Sequence, residues 1–202
     1  MRVFRANCVL PAFLLAGTLL CGCSLRQPAV LTDNFAFDIP APAPGMRGGR
    51  TISVLPFSAA PQAAGQMFLY RADESRYERD YYNRFLAPPA QMLGGQLRKW
   101  LMLSRAGEVL QPGGPLAADL VVQPRLVSLY ADYRDTSKPR AVVAVVMVLV
   151  DRGSDGDRQL FENIYRREIP MREVSPAAAA EGWSKGFAEI FAQFTRDLRA
   201  AG

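Results

Sequence analysis

Ala141 to Val150 reads AVVAVVMVLV, ten residues without a polar side chain. Successive side chains of a strand point to opposite faces, so an unbroken apolar run must be covered on both. Helices can cover one face. The other should meet a partner subunit, a second layer or something lipidic, and a homo-oligomer is permitted. Together with ADLVVQPRLVSLYADY just before it, PRAVVAVVMVLVDR gives the two strongest predicted strands of the chain.

The remaining pattern supplies that strand with neighbours. Phe35 to Ile39 is a short strand candidate, followed by a Pro/Gly loop. RTISVLPF alternates Ile52 and Val54 with Ser53 and Leu55, and GQMFLYR and ESRYERDYYNRF are further strands. APPAQMLGGQLRKWLMLSRAG predicts a helix with prolines at its start, Gly107 at its C-cap, and one face from Leu93 through Leu97 and Trp100 to Ser104. Gly94-Gly95 suggests a close approach of this helix to a sheet. RGSDGDR turns the long strand back into QLFENIYRREIPM. Ser175-Pro176 then caps a last helix whose stripe is Trp183, Phe187, Ile190, Phe191, Phe194 and Leu198, flanked by the small Ala179, Gly182 and Gly186. The expected fold is α+β: a single domain, with a mixed or antiparallel sheet and two main helices packed on it.

The N-terminus sets the compartment. MRVFR carries Arg2 and Arg5 and no acid, and Cys8 to Leu20 is a mostly apolar run of 13 residues. That is short of the roughly 20 residues a membrane-spanning helix needs, but it suits a secretory signal. Leu20-Cys21-Gly22-Cys23 resembles the lipobox of bacterial lipoproteins, in which the signal is cut before a cysteine that receives acyl chains. Gly22 supplies the small residue before the cut, so the expected cleavage is Gly22–Cys23 and the expected lipidation site is Cys23. Residues 1–22 are then signal peptide, 23–33 a lipidated tether and 34–202 the periplasmic domain. Ser24 lacks the acidic character that retains such proteins, which points to the outer membrane, periplasmic face, with attachment through the lipid.

That reading empties the chain of reactive sulfur. Cys8 and Cys21 leave with the signal and Cys23 becomes a thioether, leaving neither thiol nor disulfide. The chain has no histidine, so neither the common catalytic triads nor a cysteine–histidine zinc site can be built. No Gly-x-Ser-x-Gly elbow, Ser-x-x-Lys or phosphate loop occurs. A paired-carboxylate site can draw its acids from distant segments and stays open on sequence alone. The expectation is a protein without enzymatic activity, metal or cofactor. Loss of Arg2 and Arg5 lowers the basic count from 24 to 22 against 19 acids, leaving about +3. That is too weak an asymmetry for a nucleic-acid partner.

Two stretches invite stronger readings. Asp151, Asp155, Gly156 and Glu162 fall on positions 1, 5, 6 and 12 of a calcium loop, but Gly153 replaces the carboxylate or amide of position 3 and the flanks read as strands. A solvated hairpin turn accounts for it better. Tyr70 to Phe85 interleaves Tyr77, Tyr81, Tyr82 and Phe85 with Arg71, Arg76, Arg79 and Arg84. The four aromatics pack a strand or form a partner surface, since aromatic and arginine residues are favoured at interface centres.

The lipobox, the early Phe-x-Phe-x-Ile-Pro, ISVLPF, FLYR, YYNRFLAPPAQMLGGQLRKWL and ADLVVQPRLVSLYAD, in that order, resemble the ABC-type transport auxiliary lipoproteins. These are the lipoprotein members of paraquat-inducible and mammalian-cell-entry type transport systems. The resemblance implies partnership with an inner-membrane ABC transporter and with a mammalian-cell-entry-domain protein that bridges the periplasm. The lipoprotein would dock that bridge at the outer membrane so that lipid can pass. Two other readings remain: a module that binds lipid against the 141–150 strand, and a structural envelope lipoprotein that acts without a transporter.

Overall fold

In the computed structural model, residues 31–114, 116–154 and 156–201 are described. The expected signal peptide, cleavage pair Gly22–Cys23 and most of the tether fall outside them. One compact unit runs from Thr32 to the C-terminus.

The apolar run forms the heart of β8 (Arg140–Gly153), antiparallel between β7 (Leu120–Asp132) and β9 (Gly156–Pro170). The other side of β7 is shared end to end by three strands, all parallel to it. β2 (Thr51–Val54) lies beside Leu120–Val122, β3 (Ser58–Ala59) beside Arg125–Leu126, and β4 (Met67–Arg71) beside Ala131–Asp132. β6 (Glu108–Val109) extends the sheet past β2; β5 (Tyr77–Phe85) and then β1 (Asp33–Phe35) extend it past β4. The sheet is mixed and has nine strands among the described residues. Pro124 sits inside β7 without breaking it. The Val122 and Leu126 carbonyls face the β2–β3 side, where they accept from Leu55 and Ala60. Alternation points the missing N–H of Pro124 to that side too, into the gap between β2 and β3, so the β8 ladder loses nothing.

Helices α1 (Pro89–Leu103) and α2 (Pro176–Ala201) cover one face of the sheet. The alternating Ala141, Val143, Val145, Met147 and Leu149 of β8 are buried in that core with Phe187, Phe191 and Phe194 of α2. Two glycines set how close α2 comes. A β-carbon at Gly182 would lie 2.5 Å from that of Ala141, and one at Gly186 would lie 2.7 Å from Val143 Cγ2. Gly94-Gly95 has no such role: an added β-carbon meets only an Arg98 nitrogen at 3.7 Å in one case and nothing in the other. Both buried indoles are satisfied, Trp183 Nε1 donating to the Tyr130 carbonyl at 3.0 Å and Trp100 Nε1 to Thr195 Oγ1 at 3.2 Å. Ser175 caps α2 as expected, its Oγ accepting from the Ala178 N–H at 3.2 Å.

Two local expectations shift. β1 pairs through Asp33–Phe35 and not Phe35–Ile39, because Phe37 leaves the strand to pack its ring against Phe85 and Phe187 at 5.1 and 5.0 Å. The end of α1 is turned by Arg105 at φ 58°, not by Gly107. The Ala106 N–H bonds the Leu101 carbonyl and the Arg105 N–H that of Met102, the paired closure of a Schellman end. Gly107 instead leaves room for the Arg50 carbonyl, 2.5 Å from where its β-carbon would stand.

The outward face of β8 is covered without a second layer. Val142, Ala144 and Val146 are buried on that face. Tyr130 of β7 stands beside Val142, and Arg166 of β9 beside Ala144. Arg166 Nη2 donates to the Tyr130 hydroxyl at 3.2 Å, which closes a bridge over the valine–alanine floor. A long guanidinium stem shields apolar surface while its head stays polar. The requirement for a partner or lipid here is thereby removed along this part of the strand.

Candidate partner-binding surface

The aromatic–arginine stretch forms β5, and its geometry turns on one carboxylate. Met67 of β4 faces Arg84, whereas the next residue, Phe68, faces Asp80. Three residues of β5, Tyr81, Tyr82 and Asn83, are therefore inserted against none in β4. Asp80 closes this bulge. Its Oδ1 accepts the backbone N–H of Tyr82 at 2.9 Å and of Asn83 at 3.1 Å, and its Oδ2 accepts the Tyr70 hydroxyl at 2.7 Å and the Asn83 side-chain amide at 2.8 Å. Burial alone would raise the Asp80 pKa, but these hydrogen bonds outweigh it and hold the carboxyl below its ordinary range. Tyr70 is shifted up by burial and then by its bond to Asp80. Tyr133 stacks on Tyr70 with ring centroids 5.0 Å apart, and its hydroxyl is buried without a partner. Burial, followed by the Asp80 charge, pushes its pKa up to about 12.

The bulge divides the four predicted aromatics. Tyr81 and Tyr82 are exposed, at 71 and 62%. Phe85 is 2% exposed and packs on Phe68 at 4.6 Å, so it belongs to the core and not to a partner surface. An odd insertion reverses the alternation beyond it: Tyr77 faces away from the helices and Phe85 toward them. Tyr77 stands edge-on to Tyr130 at 5.5 Å, with the Arg71 guanidinium 5.8 Å from its ring centroid. These rings border an open groove of about 420 Å³ on the helix-free face, floored by Leu69 and flanked by Gln62 and Arg79. Sequence reasoning singled out Tyr77 but not Leu69 or Tyr130, which the parallel pairing of β4 with β7 brings to it.

The other predicted sites are placed as follows. Cys23 and Gly22 lie outside the described residues. Asp151 to Glu162 spans the β8–β9 hairpin, with strands on both flanks and Gly156 at φ 108°; Asp155 is outside the described residues. Asp151 pairs with Arg50 and, at 3.6 Å, with Arg158. Among the described residues, no helix is long and apolar enough to cross a membrane.

No family model and no curated protein matches the chain. Solved structures do. Protein XCC0632 of Xanthomonas campestris, of family DUF330, superposes with a TM-score of 0.73 at 16% identity, over 84% of this chain and 96% of its own. An uncharacterized protein gives 0.62 at 16% identity, over 83 and 99%. The hypothetical protein CT253 of Chlamydia trachomatis gives 0.52 at 12% identity, over 76 and 95%. At these identities it is the fold that is shared, and the chain has the α+β fold seen in the DUF330 protein.

Proposed function

We propose that this chain is a non-enzymatic auxiliary lipoprotein, anchored at the outer membrane through Cys23, that docks the mammalian-cell-entry-type component of an ABC-type transport system. The observation that carries the reading is the Tyr77 groove. Tyrosines and an arginine surround an apolar floor on the face that no helix covers, the composition favoured where partner proteins bury their central contacts. Asp80, which closes the β5 bulge, spends its acceptors on four protein hydrogen bonds and is poorly placed to act as a general base.

Crosslinking pull-down from membranes tests the proposal, comparing wild type, Tyr77→Ala and Cys23→Ala. A mammalian-cell-entry-domain protein should be captured by the wild type and lost or much reduced with Tyr77→Ala. Capture that survives Cys23→Ala makes the folded domain the docking unit, with the lipid raising local concentration. Repeated absence of such a protein with the wild type overturns the reading and favours a structural lipoprotein.

One observation favours a second reading, in which the domain itself holds lipid. Val146 and Val148 border an open groove of about 310 Å³ with Leu55, Pro56 and Pro124. Native mass spectrometry of the purified protein would show bound lipid in excess of the anchor; a mass without it removes this alternative.

A further inference from the structure

We propose that the Asp80-closed bulge of β5 is a membrane-contact surface, with Tyr81 and Tyr82 seated at the headgroup level of the bilayer and Arg84 meeting lipid phosphates. This rests on the anchor reading of Cys23.

Reach comes first. Nine residues separate Cys23 from Asp33. Fully extended they span about 30 Å, and as a flexible coil about 17 Å. A domain of this length has a diameter of roughly 40 Å. Whatever path those nine residues take, a lipid on Cys23 keeps the start of β1 nearer the bilayer than one domain width. β1 runs parallel beside the end of β5: Asp33 lies opposite Asn83, Asn34 opposite Arg84 and Phe35 opposite Phe85. The bulge is therefore the part of the sheet beside the point where those residues enter the domain.

The chemistry of the bulge fits an interface between water and hydrocarbon. Tyr81 and Tyr82 are exposed within the insertion, and alternation past it places Arg84 and then the exposed Leu86 on the face opposite buried Phe85. Tyrosine is amphipathic, and its ring and hydroxyl favour the headgroup level. Arg84 donates from Nε to Asn34 Oδ1 at 3.1 Å and forms no ion pair among the described residues, so its terminal nitrogens are free for phosphate. Asp80 is turned inward onto its four donors, and Asp33 shares the face of Phe35, away from Arg84. The inserted backbone is not an accident of pairing. Both N–H groups at Tyr82 and Asn83, which the bulge takes from the ladder, are answered by one carboxylate.

A protein partner is the competing occupant, and a photoreactive benzoylphenylalanine at position 81 or 82 separates the two. The control is position 164, because Ile164 is 72% exposed on β9, the opposite edge of the sheet. The full lipidated chain is reconstituted into phosphatidylethanolamine–phosphatidylglycerol vesicles, irradiated and weighed. Lipid adducts should form at 81 and 82 and be severalfold fewer at 164. Equal yields at all three positions, or none at 81 and 82, overturn the proposal. Irradiation of whole membranes adds the other arm: protein adducts at 81 and 82 in place of lipid also overturn it. The mass of the N-terminal peptide reports the anchor separately. A bare Cys23 with lipid adducts at 81 and 82 ends the anchor reading and keeps the surface, whereas an acylated Cys23 without them does the reverse.

Discussion

Asp80 holds more of the surface geometry than any tyrosine it presents. Asp80→Ala leaves two backbone N–H groups and the Tyr70 hydroxyl unanswered, and should cost about 2 kcal/mol by chemical denaturation. Asp80→Asn, which keeps an acceptor oxygen, should cost less. Because the folded pKa of Asp80 lies below the ordinary aspartate value of 3.8, its contribution is complete above that value and is lost as pH falls through the folded pKa. Acid titration of stability should therefore fall more steeply for wild type than for Asp80→Asn below about pH 3.8. Arg105 offers the opposite case. An L-residue at φ 58° carries a steric cost that glycine escapes, so Arg105→Gly should raise stability by about 1 kcal/mol, read as a higher Tm. At this scale the sequence displays residue type well and orientation poorly. Tyr77, Tyr81, Tyr82 and Phe85 read alike in sequence as aromatics that either pack a strand or meet a partner, and Phe85 shares the parity of Tyr77 and Tyr81. Only the three-residue insertion, which no period-two pattern contains, turns it inward.

Between elements, the contact of α2 with β8 depends on the pairing of small residues across it. Gly182→Ala should destabilise by roughly 1–3 kcal/mol, because the new methyl would stand 2.5 Å from the Ala141 β-carbon. Adding Ala141→Gly removes the atom it strikes, so the double variant should recover part of that loss in a double-mutant cycle. Full additivity would mean that the helix simply moves away. The stripe of α2 and the alternation of β2 were legible because each follows one period over several residues. The two-residue strands β3 and β6 were not, since two residues show no period and their existence is decided by where β7 and β2 lie. Gly94-Gly95 looked equivalent to Gly182 and Gly186 in sequence; only the partner strand distinguishes them.

For the whole molecule, the apolar run at 141–150 called for cover on both faces, and the helices supply it on one. The source of the outer cover was hidden, because Tyr130 and Arg166 are 36 positions apart and meet only across β8. Arg166→Ala should expose Val142 and Ala144, seen as faster amide exchange along β8 and increased binding of a hydrophobic dye, with the fold retained. Unchanged exchange would show that Tyr130 suffices alone. The groove beside Tyr77 was half legible: Tyr77 and Arg79 lie in one stretch of sequence, while Gln62, Leu69 and Tyr130 come from three other segments.

The end-to-end sharing of β7 has a consequence for the order in which the protein acquires its shape. β2, β3 and β4 each lie parallel to a strand more than 60 positions downstream: Ile52 waits for Leu120, Ser58 for Arg125 and Tyr70 for Ala131. Pairings so distant are slow to form because a long loop must close first. As the chain is made N-terminus first, β2 and β3 cannot take their places beside β7 until it emerges. The sheet therefore closes around a late-arriving spine.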